Sequence, residues 1–464
     1  MRGTRHLGGA TTRRRFLKGG LGTALVAGLP SSLHLTGCSG RASSTTPSHV
    51  VLISIDTLRA DHLGCYGYAR PTSPTLDRIA RRGLLFEDVT SACPWTLPAH
   101  ASLLTGLYPR RNGVRTRHDR LPADVNTLAE AFREHGFLTG AIVNCHWLVE
   151  RYGLHRGFDD FTYVKEDVKE VAPSAVGERA QQWLTRHAGK RSFLFLHYYD
   201  IHSDYRSLPR YEEQFVRPYQ GTVDGSTLQL IAARYGHLQL NQADIEHLVD
   251  LYDAGIRQLD DGIARLFGCL EENGLLEDTL VIITADHGEE FLEHGDVLHG
   301  RTHFQEVVHV PLILCGPGVP RDRRQDRMAS LVDIPSTILG IAGLDPLPGD
   351  GLDLSRLWRQ EEPELPARLV FAEADWNNVK NDIKRAVRGP RYKLHFDSLT
   401  EQHQLFDLSR DSGEKLDLAS RDLPVSRSLL RELEEFMRIQ RSTQAAPELT
   451  REDVEHLRSL GYAE

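Results

Sequence analysis

The chain has 464 residues, and its 64 acidic and 55 basic side chains give a formal net charge of -9. This length exceeds the roughly 250–300 residues that one hydrophobic core usually serves, so we expect a large domain with a smaller one appended. The acidic balance disfavours a nucleic-acid-binding protein, which is more often basic. Neither the aromatic content of 8% nor the number of glycines and prolines departs from that of ordinary globular proteins.

The first 48 residues carry signals rather than a fold. Residues 12–18, TRRRFLK, resemble a twin-arginine export signal with Arg13 and Arg14 as its arginines, and the apolar run that follows is too short to span a bilayer. Residues 35–38, LTGC, resemble a bacterial lipobox, with Cys38 as the lipidated residue. We therefore predict a signal over residues 1–38, a flexible tether over 39–48, and an exported protein anchored by lipid in the cell envelope. The alternative is an ordinary N-terminal tail.

Beyond residue 48, apolar β-branched runs alternate with helical patterns. Such runs are typical of strands buried on both faces, and their alternation with helices favours a mostly parallel sheet covered by helices on both sides, an α/β fold. The predicted strands are 49–55, 139–143, 192–197, 280–284 and 311–314. The predicted helices are 74–82, 125–135, 177–187 and 241–273.

Polar residues follow three of these runs at their carboxyl ends. Asp56 follows the first, Asp200 and His202 follow the run at 192–197, and Asp286 and His287 follow the run at 280–284. Ligands of such sheets bind outside the carboxyl ends of the strands. The sequence therefore predicts a functional site at this edge.

A dense group of glycines and prolines at residues 340–351 marks a change of composition. Beyond it, residues 369–374, 386–391 and 392–397 are predicted as short strands, and 427–438 as a helix. The predicted domains are thus a catalytic domain at 49–345 and a smaller subdomain of antiparallel sheet plus helix at 346–464.

Residues 96–106, TLPAHASLLTG, resemble the active-site signature of the sulfatase family in the alkaline phosphatase superfamily. That signature has Cys or Ser where this chain has Thr96, and Arg where it has His100. The family's sulfatases convert the Cys or Ser to formylglycine, whose hemiacetal expels sulfate. Threonine cannot form that aldehyde, so the resemblance implies an altered nucleophile. It extends over nearly the whole mature chain and implies an alkaline-phosphatase-like fold.

The same resemblance implies a metal site. Asp56, Thr96, Asp286 and His287 match the positions of the family's first-shell residues, although Thr57 stands where many sulfatases have a second Asp. Two carboxylates, one imidazole and one hydroxyl suit Mn or Zn better than Ca, which takes six to eight oxygen ligands and remains possible. We expect one divalent ion, and we expect activity to fall in acid because His287 must be neutral to bind it.

Two roles are open for Thr96, which we expect just before a helix at about residues 97–104. It can be a nucleophile in the positive field of a helix N-terminus, or an N-cap without chemistry. His100 likewise either donates a hydrogen bond to Thr96 or acts as its base, or it faces solvent on the first helical turn.

Five more side chains are assigned by the resemblance or by their surroundings. His202 resembles the family histidine that contacts the ester or its leaving group, and Arg301 occupies the place of the family cation that binds substrate oxygens. His299 and His303 flank Arg301 as further candidates. His197 lies inside an apolar run and is interpreted as a buried core histidine.

These assignments imply a metal-dependent hydrolase of sulfate, phosphate or phosphonate esters that acts on a small molecule or a glycan. Thr96 would attack a metal-bound ester, His202 or His100 would protonate the leaving group, and water would release the covalent Thr ester. This chemistry favours phosphorus esters over sulfate esters. The alternative is a non-catalytic surface protein that binds a sulfated or phosphorylated glycan. Neither the oligomeric state nor the natural substrate follows from the sequence.

Overall fold

The computed structural model describes residues 46–165, 175–359, 366–375, 383–421 and 423–459. The predicted export signal and the predicted lipid anchor at Cys38 lie outside these residues. No helix among those that are described combines the length and the apolar character needed to cross a membrane. From Ser43 onward the chain forms one compact unit.

Eighteen strands are present in the described residues. They are β1 His49–Ile55, β2 Leu84–Phe86, β3 Val89–Thr90, β4 Asp119–Arg120, β5 Leu138–Val143, β6 Asp160–Tyr163, β7 Ser192–Tyr198, β8 Thr279–Ala285, β9 Glu290–Phe291, β10 Val297–Leu298, β11 Leu312–Cys315, β12 Arg323–Gln325, β13 Ala329–Ser330, β14 Val370–Ala374, β15 Lys384–Arg388, β16 Tyr392–Asp397, β17 Gln402–Asp407 and β18 Gln444–Ala445.

Thirteen α-helices accompany them in the same described ranges. They are α1 Pro74–Arg82, α2 Thr96–Thr105, α3 Pro109–Asn112, α4 Leu128–Glu134, α5 Ala175–Arg186, α6 Pro209–Phe215, α7 Thr227–Arg234, α8 Gln242–Glu272, α9 Gln305–Val308, α10 Asp333–Ala342, α11 Arg356–Arg359, α12 Pro424–Arg438 and α13 Arg451–Ser459.

The large sheet has eight strands in the order β12-β2-β11-β8-β1-β7-β5-β6. β1 lies at its centre and pairs in parallel with β7 on one side and β8 on the other. All seven residues of β1 are buried, which explains its continuous apolar sequence HVVLISI. The predicted α/β fold with a mostly parallel sheet is confirmed.

One predicted strand runs against the others, and three more strands were not predicted. β11, foreseen at 311–314, is antiparallel to both β8 and β2. β2, β6 and β12 extend the sheet at its edges and have only three or four residues each. Segments this short carry too little periodicity to be recognised without their neighbours.

The helices begin where the sequence supplies caps. At the start of α4, the Thr127 side chain accepts a hydrogen bond from the Glu130 N–H, and the Glu130 side chain accepts one from the Thr127 N–H. Asn241 and Asp244 form the same reciprocal pair before the 31-residue helix α8. α2 ends at Gly106, whose φ of 70° is a conformation that glycine adopts without steric cost.

A second, smaller sheet follows near the C-terminus. Strands β14, β15, β16 and β17 form an antiparallel meander, and α12 packs on it with Phe436 stacked on Phe371 at a ring distance of 4.0 Å. β14 is joined to the large domain through the Glu373 N–H, which donates to the Ala92 carbonyl at 3.0 Å. The predicted antiparallel sheet plus helix is confirmed.

Candidate functional site

The three polar clusters predicted from strand ends meet at one edge of the large sheet. Ile55, the last residue of β1, pairs with Tyr198 of β7 and with Ala285 of β8. Asp56 and Asp286 therefore leave adjacent strands at the same level, and His202 lies four residues beyond the end of β7. All three side chains are buried.

Thr96 is the first residue of α2, and its hydroxyl faces Asp56 and His287. Its Oγ1 lies 3.4 Å from Asp56 Oδ2 and 3.4 Å from His287 Nε2. The N-cap position belongs to Trp95, which makes no capping bond through its side chain. The Thr96 hydroxyl therefore does not cap α2. The helix N-terminus adds a partial positive charge to this point.

His287 is oriented toward the aspartates by the backbone. Its Nδ1–H donates to the Gly288 carbonyl at 2.9 Å, so Nε2 points into the cluster. Nε2 lies 3.2 Å from Asp286 Oδ2 and 3.6 Å from Asp56 Oδ1. A Cβ on Gly288 would lie 2.1 Å from the Glu306 carbonyl oxygen, so only glycine permits this close approach.

The charges of the cluster are strongly perturbed. Burial, together with the neighbouring carboxylate of Asp286, raises the pKa of Asp56 to about 7. Burial opposes ionisation of Asp286 too, but His287 and His100 outweigh it and hold the pKa of Asp286 below its ordinary value. Burial works against protonation of His287, yet Asp286 and Asp56 raise its pKa to about 9. Binding of a cation at neutral pH would therefore release a proton from His287.

These residues fit a divalent ion. Oxygens Oδ1 of Asp56 and Oδ2 of Asp286 are buried and accept no hydrogen bond in the described part of the chain. Together with His287 Nε2 they form a group of possible ligand atoms within 4.8 Å of one another. Buried carboxylate oxygens without donors are costly unless a positive charge compensates them. The donor set of oxygen and imidazole nitrogen suits Mn or Zn, and Ca with additional oxygens.

Thr57 is a site residue that sequence reasoning undervalued. Its hydroxyl is buried and unpartnered within the described residues, and its N–H donates to Asp286 Oδ1 at 3.3 Å. Its φ of 61° is rare for a β-branched residue. Such strain concentrates at functional sites, and it turns the Thr57 backbone toward Asp286. The only sequence signal was its position directly after Asp56.

His100 lies under the cluster and is fully buried, so the prediction that it faces solvent is wrong. A carbonyl only accepts, so His100 Nδ1–H donates to the Thr96 carbonyl at 2.8 Å, and Nε2 accepts from the Ser54 hydroxyl at 2.9 Å. Both ring nitrogens thus hold the α2 N-terminus to β1, and neither is bonded to the Thr96 hydroxyl. Burial lowers the pKa of His100 to about 4, which keeps it neutral.

His197 was interpreted as a core histidine, and it is indeed buried. It also belongs to the site, because its Nε2 lies 3.3 Å from Asp56 Oδ2 and its ring lies 4.9 Å from that of His100. Its Nδ1 contacts Asn144 Oδ1 at 3.2 Å. The apolar run around His197 gives no sign of this role, because only the packing of β7 beside β1 brings His197 to Asp56.

His202 and His299 extend the cluster beyond His287. Their rings lie 5.1 Å apart, and the His299 ring lies 4.4 Å from that of His287. His299 Nδ1 is held by Glu289 Oε1 at 2.8 Å. His202 Nδ1–H donates to the Ser203 carbonyl at 2.7 Å, and its ring stacks on Tyr199. Burial lowers the pKa of His202 to about 4.

Arg301 and His303 are not brought into this cluster. Arg301 donates to the Tyr235 hydroxyl at 3.0 Å and lies over the Tyr235 ring, 5.0 Å from its centroid. Its position is thus at the surface beside α7 rather than on the carboxylates. His303 is buried near His395, 6.3 Å away, where the C-terminal sheet packs.

Comparisons with known proteins agree with this geometry. A sequence model of the sulfatase family matches residues 48–344. Arylsulfatase A of Homo sapiens is 27% identical over an alignment that covers 90% of this chain and 92% of that protein. Delta 4,5-hexuronate-2-O-sulfatase of Bacteroides thetaiotaomicron is 24% identical, with 82% of this chain and 86% of that protein covered.

Solved structures show the same fold. A 2-O GAG sulfatase superposes with a TM-score of 0.70 at 22% identity, covering 85% of this chain and 91% of its own. The phosphonate monoester hydrolase of Agrobacterium radiobacter also superposes with a TM-score of 0.70, at 21% identity, covering 85% and 95%. Both esters of sulfur and esters of phosphorus are thus named among the relatives of this fold.

Proposed function

Because the chain belongs to the sulfatase family and is an ester-hydrolysing enzyme, we propose that it cleaves its ester with Thr96 as the nucleophile and prefers phosphate or phosphonate esters. The observation that supports this is the Thr96 hydroxyl at the N-terminus of α2, within 3.4 Å of both Asp56 and His287. A nucleophile in this position meets an anionic ester held by the same positive field.

Each site residue has a part in the reaction. Thr96 Oγ1 forms a bond to phosphorus while the bond from phosphorus to the leaving oxygen breaks. The Thr96 proton passes to Asp56 Oδ2, and His202 donates a proton to the leaving oxygen. A bound anionic ester favours that donation, because its charge raises the pKa of His202.

The second half of the reaction restores the enzyme. Water attacks the phosphorus of the Thr96 ester while the bond from phosphorus to Thr96 Oγ1 breaks. His202 takes a proton from that water, and Asp56 returns its proton to Thr96 Oγ1. Asp56, Asp286 and His287 would hold a divalent ion, whose charge polarises the ester and lowers the pKa of the Thr96 hydroxyl when bound. His100 holds the Thr96 backbone and takes no proton.

The preference for phosphorus follows from threonine itself. A covalent Thr ester lacks the neighbouring hydroxyl through which a formylglycine hemiacetal expels sulfate, so it is released only by attack of water. The non-catalytic alternative, binding of a sulfated or phosphorylated glycan, does not require a buried hydroxyl beside a carboxylate and an imidazole. The family relatives do not favour it either.

Mass spectrometry tests the nucleophile directly. Protein quenched in acid during turnover of a slow phosphonate ester should carry the phosphonyl group on the peptide that contains Thr96. Thr96→Ala should lose this adduct and at least about a thousandfold in kcat/KM, while Thr96→Ser keeps part of both. Thr105→Ala, at a buried threonine of the same helix, is the matched control and should keep activity.

Two outcomes would contradict the proposal. Undiminished turnover by Thr96→Ala with full occupancy of the ion site would remove Thr96 as nucleophile. A faster reaction on sulfate than on phosphonate esters, in protein whose Thr96 is chemically unmodified, would remove the preference for phosphorus.

A further inference from the structure

One surface segment of the chain is unusually poor in charge. Residues 226–240, STLQLIAARYGHLQL, contain a single Asp, Glu, Lys or Arg, namely Arg234, in a chain that is 26% charged. Arg234 is not available to solvent partners, because it pairs with Asp296 at 2.9 Å and is only 9% exposed. This segment consists of α7 and the turn that follows it.

α7 shows an apolar face to solvent. Leu228 is 74% exposed, the highest value among the large hydrophobic side chains of the described residues, and Tyr235 is 57% exposed. They are seven residues apart and so lie on one side of the helix, with the half-buried Ile231 between them. Arg301 lies flat on the Tyr235 ring at the end of this row. We call Leu228, Ile231, Tyr235 and Arg301 the α7 face.

Both ends of α7 are fastened to loops that carry site histidines. At its start, Thr227 Oγ1 donates to Ser203 Oγ at 3.1 Å, directly after His202. At its end, Arg234 Nη2 donates to the carbonyl of His299 at 3.1 Å. The helix thus runs between the His202 loop and the His299 loop and adjoins the site through these two hydrogen bonds.

We propose that the α7 face binds the apolar part of the leaving group, so that the substrates are amphiphilic esters with an anionic head at Thr96 and an alkyl or alkyl-aryl body on α7. This inference rests on the proposed function. Leu228 and Ile231 bury the hydrocarbon, Tyr235 offers an aromatic surface, and Arg301 keeps that ring in place through its stacked guanidinium.

The adjoining site favours a substrate over a membrane as the occupant. The face has two strongly exposed apolar side chains on an eight-residue helix. They bury less hydrocarbon than a single myristoyl chain, which by itself binds a bilayer only marginally. They are sufficient, however, to select among small ligands, because each buried CH₂ changes binding by about fourfold.

The test uses full-length, metal-loaded protein and 4-alkylphenyl esters of methylphosphonic acid, with alkyl chains from methyl to hexyl. Para-alkyl groups leave the acidity of the phenol nearly constant, so differences report binding. We expect kcat/KM to rise two- to fourfold per CH₂, mainly through KM. In Leu228→Ser and Tyr235→Ser the ratio of hexyl to methyl ester should fall at least tenfold. Leu399→Ser, at a leucine that is 58% exposed on the turn after β16, is the control and should keep the parent ratio.

Binding is measured separately so that the two proposals fail separately. In calorimetry with metal-loaded Thr96→Ala protein, the affinity for n-alkylphosphonic acids should rise with chain length. This rise should disappear when Leu228→Ser is added to the same protein. If this holds while the parent protein cleaves no ester, the proposed function is wrong and the proposed binding role of the α7 face is retained.

Three results would overturn the inference. These are a chain-length dependence that is flat in the parent protein, one that is unchanged in the two α7 variants, and one that appears only when phosphatidylcholine vesicles are added and the protein sediments with them. The last result would assign the α7 face to a bilayer.

Discussion

At Thr57 a β-branched residue holds a φ of 61° and buries a hydroxyl that has no partner within the described residues. A buried hydroxyl without a hydrogen bond costs about 1–3 kcal/mol, and backbone strain of this kind adds to it. Thr57 directly follows Asp56 in the chain, and its N–H donates to Asp286 Oδ1 at 3.3 Å, so its hydroxyl is a candidate for a further oxygen ligand of a divalent ion.

We therefore predict opposite effects of Thr57→Val in two states of the protein. In chelator-treated protein the variant should be more stable by about 1 kcal/mol, because the unpaired hydroxyl is gone. In metal-loaded protein it should bind the ion about tenfold more weakly. Thr57→Ser, which keeps the hydroxyl, should bind like the parent. Denaturation with and without the ion measures both effects, and full metal affinity in Thr57→Val would exclude Thr57 as a ligand.

A second prediction concerns the carboxylates of Asp56 and Asp286. Metal-loaded protein should contain one divalent ion per chain, and Asp56→Ala or Asp286→Ala should lose it entirely, because each removes a negative charge that offsets the ion. Asp61→Asn, which alters an aspartate that pairs with Arg59 at 2.8 Å, is the matched control and should keep the ion. Elemental analysis after gel filtration gives the count. An ion that survives in both alanine variants lies elsewhere.

At the scale of elements, the C-terminal sheet is joined to α9 through a buried carboxylate. Glu414 accepts from the Gln305 N–H at 2.7 Å, from Lys393 Nζ at 3.2 Å and from His395 Nε2 at 2.9 Å. Burial opposes its ionisation, but Lys393 and His395 outweigh that effect and lower the pKa of Glu414 to about 2. Glu414 thereby stabilises the contact between β16 and α9 only while it is ionised.

The contribution of Glu414 to stability depends on pH. The folded pKa of Glu414 lies below the unfolded value of 4.5, so its contribution is complete above pH 4.5 and disappears as the pH falls toward 2. The difference between the folded and unfolded pKa values corresponds to a contribution on the order of 3 kcal/mol to the free energy of unfolding. Glu414→Gln should be less stable than the parent by about this amount at pH 7, and the gap should narrow below pH 4.5. Urea unfolding across this range checks it, and a constant gap would contradict it.

At the scale of the whole molecule, we propose that the chain is exported through its twin arginines and held in the cell envelope by lipid on Cys38. Cys38→Ala should then yield exported protein that no longer sediments with membranes, because the acyl chains supply most of the binding at about 0.8 kcal/mol per buried CH₂. Replacement of Arg13 and Arg14 by lysine should leave folded protein in the cytoplasm. Membrane association that persists unchanged in Cys38→Ala would remove the anchor from the proposal.

Much of the fold was determined by the sequence itself. The predicted bounds of β1, α1 and β16 agree with the structure, and those of β5, β7 and β8 differ by one residue at most at each end. These elements have strong apolar patterns or clear caps, which act locally. The convergence of Asp56, His202 and Asp286 also followed, because parallel strands bring their carboxyl ends to one edge.

Other features were decided only by tertiary structure. His100 is buried with both nitrogens bonded, His197 contacts Asp56, and Arg301 lies on Tyr235 instead of the carboxylates. The sequence states which residue occupies each position of a strand or loop. The atoms that its side chain meets belong to segments tens to hundreds of residues away, and only the packing of those segments brings them within bonding distance.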